Sequence, residues 1–213
     1  MSGEPVYRPA TPGDLGAVER LLLESFPRLF TALMGDAPAE RKLQTLLALR
    51  HTRADPAAGV FVAEAGGSVI GTMAYDSPAL YSSGYRPGRL SALRQLGPLG
   101  ALRFGVVARF GLLSQPPSSG ELVIRSGAVV PEWRRHGVAA RLLRTIEETT
   151  AADGYREYVG WVATTNEKSR QLMLASGYTE GVTRRHRLRG WLIGEPAMIR
   201  FSKPVHPHPT TEG

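Results

Sequence analysis

The chain has 213 residues, a formal net charge of +7 and no cysteine. That length fits one domain of ordinary size, and the missing cysteines exclude disulfides, thiolate catalysis and cysteine-based metal sites. No run approaches the roughly 20 apolar residues of a membrane span, and Met1 to Pro5 lack the basic start and apolar stretch of a signal peptide, so the chain reads as cytoplasmic. Its surplus of cations, 26 Lys+Arg against 19 Asp+Glu, suits an anionic partner such as a phosphorylated cofactor, a membrane surface or nucleic acid. With no five-residue basic block and no aromatic residues interleaved with basic ones, nucleic acid is the weakest of the three.

Taken in chain order, Val6-Tyr7-Arg8 predicts a short strand. Thr11-Pro12-Gly13-Asp14 then has the hydroxyl, proline and acid of a helix start, followed by Leu15, Val18, Leu22 and Ser25 at helical spacing. A second helix is expected from Asp36 or Pro38, with Leu43, Leu46 and Leu47 on its inner side. Gly59 to Glu64 and Ser68 to Asp76 read as strands of a hairpin turning at Gly66-Gly67. Residues 85–117 are rich in Leu, Gly and Arg and broken by prolines, the pattern of a helical insertion too short for its own core.

The remainder alternates strand and helix. Glu121 to Val130 predicts a strand and Val138 to Ala152 a helix with Ala139, Leu142, Leu143 and Ile146 inward. Tyr155 to Ala163 is a strand, and Asn166 to Ser176 a helix closed by Gly177. Gly181 to Leu188 and Ala197 to Ser202 are the last two strands, with Arg184-Arg185-His186-Arg187 on a solvated edge. The expected organisation is one mixed α/β domain over 1–203 and a disordered tail over 204–213, in which His206 and His208 have no metal-ligand context.

Chemistry concentrates between Val130 and Val138. Pro131 ends the strand, and a helix opens at Gly137 whose first N–H groups have no intrahelical acceptor. Such a turn seats a pyrophosphate. Gly137 permits close backbone approach, small Ala139 leaves room on the next turn, and Arg134, Arg135 and His136 add donors and charge.

The order Val-x-Pro-x-x-Arg-x-x-Gly-x-Ala from Val129 to Ala139 resembles the acetyl-CoA signature of the GNAT N-acetyltransferase superfamily, Arg or Gln followed by x-x-Gly-x-Gly/Ala. Further on, Asn166-x-x-Ser169-x-x-Leu172-Met173-x-x-x-Gly177-Tyr178 resembles that superfamily's Asn-x-x-Ala/Ser-x-x-Leu-Tyr-x-x-x-Gly-Phe segment. The resemblance implies the GNAT fold, a mostly antiparallel central sheet flanked by helices, with two parallel strands, Glu121–Val130 and Tyr155–Ala163, splayed to admit acetyl-CoA. It implies an N-acetyltransferase in which a primary amine, of a small molecule or a peptide, attacks the thioester directly. The thioester arm would bond backbone at Ala128, Val129 and Val130. The loop Arg134, Arg135, His136, Gly137, Val138 and Ala139 would hold the pyrophosphate, and Asn166, Ser169 and Met173 would lie beside the rest of the cofactor.

By the same resemblance Glu121 is the candidate proton acceptor, working through a bridging water; the plainer reading is a strand-end carboxylate or a partner for Arg125. The family's thiolate-protonating tyrosine falls at Met173, which cannot donate a proton. That departure keeps a non-catalytic acyl-CoA-binding module as the alternative. Trp161 is either a buried aromatic or a wall of the acceptor pocket. The insertion is similar in position to one in bacterial puromycin-type acetyltransferases, and implies a substrate lid or a homodimer surface.

Overall fold

Seven strands form one mixed sheet in the computed structural model, which describes residues 3–50, 54–82, 96–98, 100–102 and 116–205. The strands are β1 (Val6–Pro9), β2 (Val60–Ala65), β3 (Ser68–Asp76), β4 (Glu121–Val129), β5 (Glu157–Ala163), β6 (Thr179–Arg185) and β7 (Ala197–Pro204). Their spatial order is β1-β2-β3-β4-β5-β7-β6, and every neighbouring pair is antiparallel except β4 and β5. The expected hairpin turns at Gly66 and Gly67, both at positive φ, with Ala65 paired to Ser68.

Helices cover both faces. The first, α1 (Leu15–Ser25), starts where the Asp14 carboxylate accepts from the Thr11 N–H at 2.7 Å and is itself held by Arg8. Next come α2 (Pro27–Met34), α3 (Ala39–Arg50), α4 (Pro78–Ser82), α5 (Val138–Thr150), α6 (Glu167–Ala175) and α7 (Arg187–Ile193). On one face α5 buries Val138, Leu142, Leu143 and Ile146 against Phe61, Met73, Leu122, Ile124 and Phe201. On the other, α1 and α2 bury Val18, Leu21, Leu22, Phe30 and Leu33 against Val60, Val62 and Ala128. Each of these large side chains contributes about 1.5–3 kcal/mol by leaving water, so the helices are held chiefly by their sheet-facing stripes.

Two expectations are corrected, and one helix joins those expected. Pro27 starts the added helix, α2, because proline at the first helical position sacrifices no hydrogen bond. The strand expected from Gly181 to Leu188 runs instead from Thr179 to Arg185 and gives way to α7, closed by Gly194 at φ 77°. Pro204 is not tail: it pairs with Glu157 at the end of β7, and the Val205 N–H donates to the Arg156 carbonyl at 2.9 Å. Most of the insertion and residues 206–213 lie outside the described residues; within the insertion, 96–98 and 100–102 are helical.

The sheet consists of two plates, β1–β4 and β5–β7, and the seam between them is short. β4 and β5 pair only from Glu121–Glu157 to Ile124–Gly160, whereas β5 pairs with β7 along its whole length. Side chains tie this closed end on both faces. On the α5 face, the Glu147 carboxylate accepts from the Tyr178 hydroxyl at 2.9 Å and from Lys203 at 2.7 Å, while the Tyr158 hydroxyl donates to the Glu147 carbonyl at 2.9 Å. On the opposite face, Arg200 of β7 donates to Glu121 at 2.8 Å and to Glu157 at 2.7 Å.

Burial, with the Glu147 carboxylate beside it, pushes the Tyr178 phenol well up from its ordinary value, and burial also raises Tyr158. A raised folded-state pKa means that the unfolded chain releases these protons first. The tyrosine contribution is therefore whole below pH of about 10 and is lost as pH climbs beyond it. Urea midpoints measured between pH 8 and 11 are expected to fall steeply at the alkaline end, and less steeply in a Tyr178→Phe variant. An equal alkaline slope in that variant would exclude Tyr178 as a source.

Candidate active site

Beyond Ile124 the two parallel strands part company. Along β3 the partners on β4 skip from Gly127 opposite Met73 to Ile124 opposite Tyr75, which marks an extra residue, a bulge, at Arg125-Ser126. Ser126 and Gly127 are exposed there, while β5 stays with β7. Val130 donates its N–H to the Ile70 carbonyl on β3 at 2.9 Å. Because successive peptide groups point to opposite edges, the Val129 N–H and C=O face the splay. This places Ala128, Val129 and Val130 along one wall of a wedge between β4 and β5.

At the top of that wall lies the loop singled out by its sequence. Pro131–Trp133 form a single tight turn, with the Trp133 N–H donating to the Val130 carbonyl at 3.0 Å. Arg134 is extended and turns its side chain back, so that Nε donates to the Val129 carbonyl at 3.0 Å; His136 Nδ1 lies 2.9 Å from the Arg134 carbonyl. Arg135 has φ 66°, the one non-glycine positive φ among the described residues, a conformation that costs of order 1 kcal/mol and concentrates at functional loops. Gly137 follows at φ 77° and opens α5, and a Cβ there would meet nothing within 4 Å. Arg134, Arg135, His136 and Gly137 are all exposed. The first intrahelical bond returns from the Arg141 N–H to Gly137, leaving the N–H groups of Val138, Ala139 and Ala140 aimed out of the helix end. The arrangement is an open, cationic anion seat at the mouth of the wedge.

The opposite wall is β5 and the start of α6. Asn166 caps α6, its side chain accepting from the Ser169 N–H at 3.1 Å. Met173 is 5% exposed and lies over Gly160, where its methyl sits 2.5 Å from the point a Cβ would occupy. Gly160 is also the last residue of the β4–β5 seam. Met173 thus fills the pivot of the wedge with an apolar group at the position of the family's tyrosine. Trp161, the next residue on β5, is half-buried, with the Arg184 guanidinium 5.0 Å above its ring.

Glu121 lies at the start of β4, three residues before the seam ends at Ile124 and roughly 25 Å of strand from Val129 at about 3.3 Å per residue. The carboxylate is occupied by Arg200 and by the Ser118 N–H at 3.0 Å. Burial opposes its charge, but those two donors outweigh burial and hold its carboxyl below the usual range. Arg125, named as its alternative partner, pairs instead with Asp76 at 2.7 Å. Glu121 is a tie at the closed end.

Sequence reasoning also missed a cavity of about 490 Å³ between α2 and α7, lined by Arg28, Thr31, Ala32, Gly190, Trp191 and Ile193 among others. Ile193 and Ala32 belong to the apolar cluster that α1 and α2 form on the sheet face opposite α5. The cavity's sequence signal was weak, because α7 is as short as a strand and its charges hid its period.

The acetyltransferase (GNAT) family profile matches residues 17–178. No curated protein matches the chain. Among solved structures, a crystal structure of an acetyltransferase superposes with a TM-score of 0.68 at 18% identity, covering 94% of this chain and 100% of the other. A Drosophila melanogaster polyamine N-acetyltransferase, which forms N-acetylagmatine, gives 0.57 at 18% identity, covering 94% and 100%. The yncA protein of Salmonella typhimurium, solved with its cofactor acetyl-CoA, gives 0.54 at 14% identity, covering 98% of each chain. At these identities the structural likeness speaks for the fold alone. The profile match spans most of the chain and both motif segments up to Tyr178, and on it the chain belongs to the acetyltransferase (GNAT) family, an acyltransferase whose acyl donor is acetyl-CoA.

Proposed function

We propose that the protein moves the acetyl group of acetyl-CoA to a primary amine, of a small molecule or a peptide, by direct attack within a ternary complex. The observation that carries this reading is the wedge, with a strand edge turned into it at Val129 and an anion seat at its mouth. A pantetheine arm laid in the wedge would pair with the Val129 edge as an added strand does. The pyrophosphate would rest on Arg134 to Ala139, and Asn166, Ser169 and Met173 would flank the rest. Catalysis on this reading rests on placing the amine and on donors at the developing oxyanion. The proton passes to water rather than to Glu121.

The test is thiol release from acetyl-CoA in the presence of a panel of primary amines. With no cysteine in the chain, every thiol counted comes from the donor. Initial rates at varied concentrations of both substrates are expected to give intersecting double-reciprocal lines; parallel lines would indicate an acetyl-enzyme and overturn direct attack. Glu121→Gln is expected to leave kcat within about threefold, against the roughly hundredfold or greater loss expected on removing a general base, while lowering stability by about 1 kcal/mol through the weakened tie to Arg200. A loss of kcat of a hundredfold or more would restore Glu121 as the base.

A further inference from the structure

The cavity between α2 and α7 has walls of unlike chemistry. Ala32 and Ile193 give it a buried apolar floor, 5% and 6% exposed, whereas Trp191 beside them is 80% exposed. That is the most exposed large apolar side chain among the described residues. Arg28 lines the same space and makes no hydrogen bond or ion pair among the described residues. Its guanidinium lies against the wall all the same, with Nη1 2.7 Å from the point a Cβ on Gly194 would occupy. One helical turn on, on the same side of α2, the Thr31 hydroxyl accepts from the Lys42 ammonium of α3 at 3.3 Å and brings a second cation to the site. No acidic residue is among the described residues that line it.

We propose that this cavity is a binding site for a small aromatic carboxylate. A guanidinium without a partner gains two charge-assisted bonds from a carboxylate, which matches its planar fork. The exposed indole offers a flat face for an aromatic ring to stack on, and the buried floor takes up the ring's apolar edge. A bare inorganic anion would use the cations and leave the indole and the floor unmet. At about 490 Å³ the volume falls within the roughly 300–1,000 Å³ of small-molecule sites. Its cations stand on α2 and α3 and not on the Arg134–Ala139 loop, so the site goes beyond acetyl transfer and stands whether or not acetyl-CoA binds in the wedge.

The three tryptophans of the chain make the location readable. Trp191 reports on Arg28, Trp133 lies beside His136 with ring centroids 6.1 Å apart, and Trp161 lies under Arg184 at 5.0 Å. The experiment titrates the full chain with naphthoate, and with uncharged naphthamide of the same shape, by NMR of the indole N–H groups; Trp191→Leu assigns the resonance. Naphthoate is expected to shift the Trp191 signal saturably, with a dissociation constant of about 1 mM or below. Naphthamide is expected to bind at least tenfold more weakly, for want of the charge-assisted pair. Arg28→Met, a change at an exposed residue that should leave Tm unaltered, is expected to weaken naphthoate at least tenfold and to leave naphthamide as it was. Equal affinity for the two compounds, or full naphthoate affinity in Arg28→Met, overturns the proposal. So does the absence of saturable binding, or a naphthoate shift at Trp133 or Trp161 with Trp191 unmoved.

Discussion

Gly137→Glu is expected to give a folded protein that no longer binds acetyl-CoA. Folding survives because a Cβ at this position meets nothing within 4 Å, and the cost is the left-handed backbone alone, about 1–2 kcal/mol for an ordinary side chain. Binding is lost for a separate reason. The residue begins α5 at φ 77° and is exposed, so the new carboxylate stands at the seat proposed for the pyrophosphate. Two unit charges about 5 Å apart repel by roughly 3 kcal/mol at an effective dielectric constant near 20, which is more than a hundredfold in affinity. Asparagine tolerates the left-handed region and is neutral. Gly137→Asn is therefore expected to hold affinity within about tenfold. Calorimetric titration of the three proteins separates strain from charge. Wild-type affinity in Gly137→Glu would move the phosphates away from this loop.

Glu147→Ala is expected to be strongly destabilising. One carboxylate serves Tyr178, 3% exposed, and Lys203 together. Both partners belong to the C-terminal plate, while Glu147 sits on α5, which packs on β1 to β4. Removing it strands a buried hydroxyl and leaves a part-buried ammonium with the Ser176 carbonyl at 3.2 Å and the Tyr178 ring, 5.6 Å to its centroid. An unsatisfied buried donor costs about 1–3 kcal/mol, and breaking a buried ion pair about 3–5 kcal/mol. The side chains of Lys203 and Glu147 are 28% and 14% exposed, so water recovers part of the second loss and about 3 kcal/mol in all is expected. For a chain of this size that is roughly 6–12 °C in Tm. Glu147→Gln, which still accepts from Tyr178, should lose less than half as much. A shift below 2 °C in Glu147→Ala would show that the plates do not depend on this clamp.

The parts of the site legible in the sequence were those carried by consecutive residues. A proline ending a strand, cations, a glycine and a helix of good period sit within Val129 to Ala139, and the Asn166 cap lies within its own helix, so one stretch of sequence holds the whole physical device. The closed end was opaque for the opposite reason. Glu121 and Arg200 are 79 residues apart, and nothing near Glu121 in sequence announces that a guanidinium will claim it. The hairpin was readable because two positive-φ glycines fix the turn, and the α6 cap because its partner is three residues away. Short elements failed where local signals conflict. Pro27 serves equally as a terminator and as a helix's first residue. Arg184 to Arg187 carries charge through a change from strand to helix, leaving no apolar rhythm to show the boundary.

The seam between β4 and β5 has a consequence for how the molecule keeps its shape. The N-terminal plate, residues 6–129, and the C-terminal plate, residues 157–204, each keep their own ladders, and α5 spans the join. At one end the sheet is a single piece of seven strands; at the other it is a leaf of four beside a leaf of three. A molecule bound in the wedge would touch both leaves and act as a keystone. Its binding energy would then add directly to the cohesion of the protein, by about 2.7 kcal/mol at a hundred times its dissociation constant. Supply of the acyl donor would set the endurance of the enzyme as well as its rate, and a cell short of donor would hold copies more prone to part along the seam.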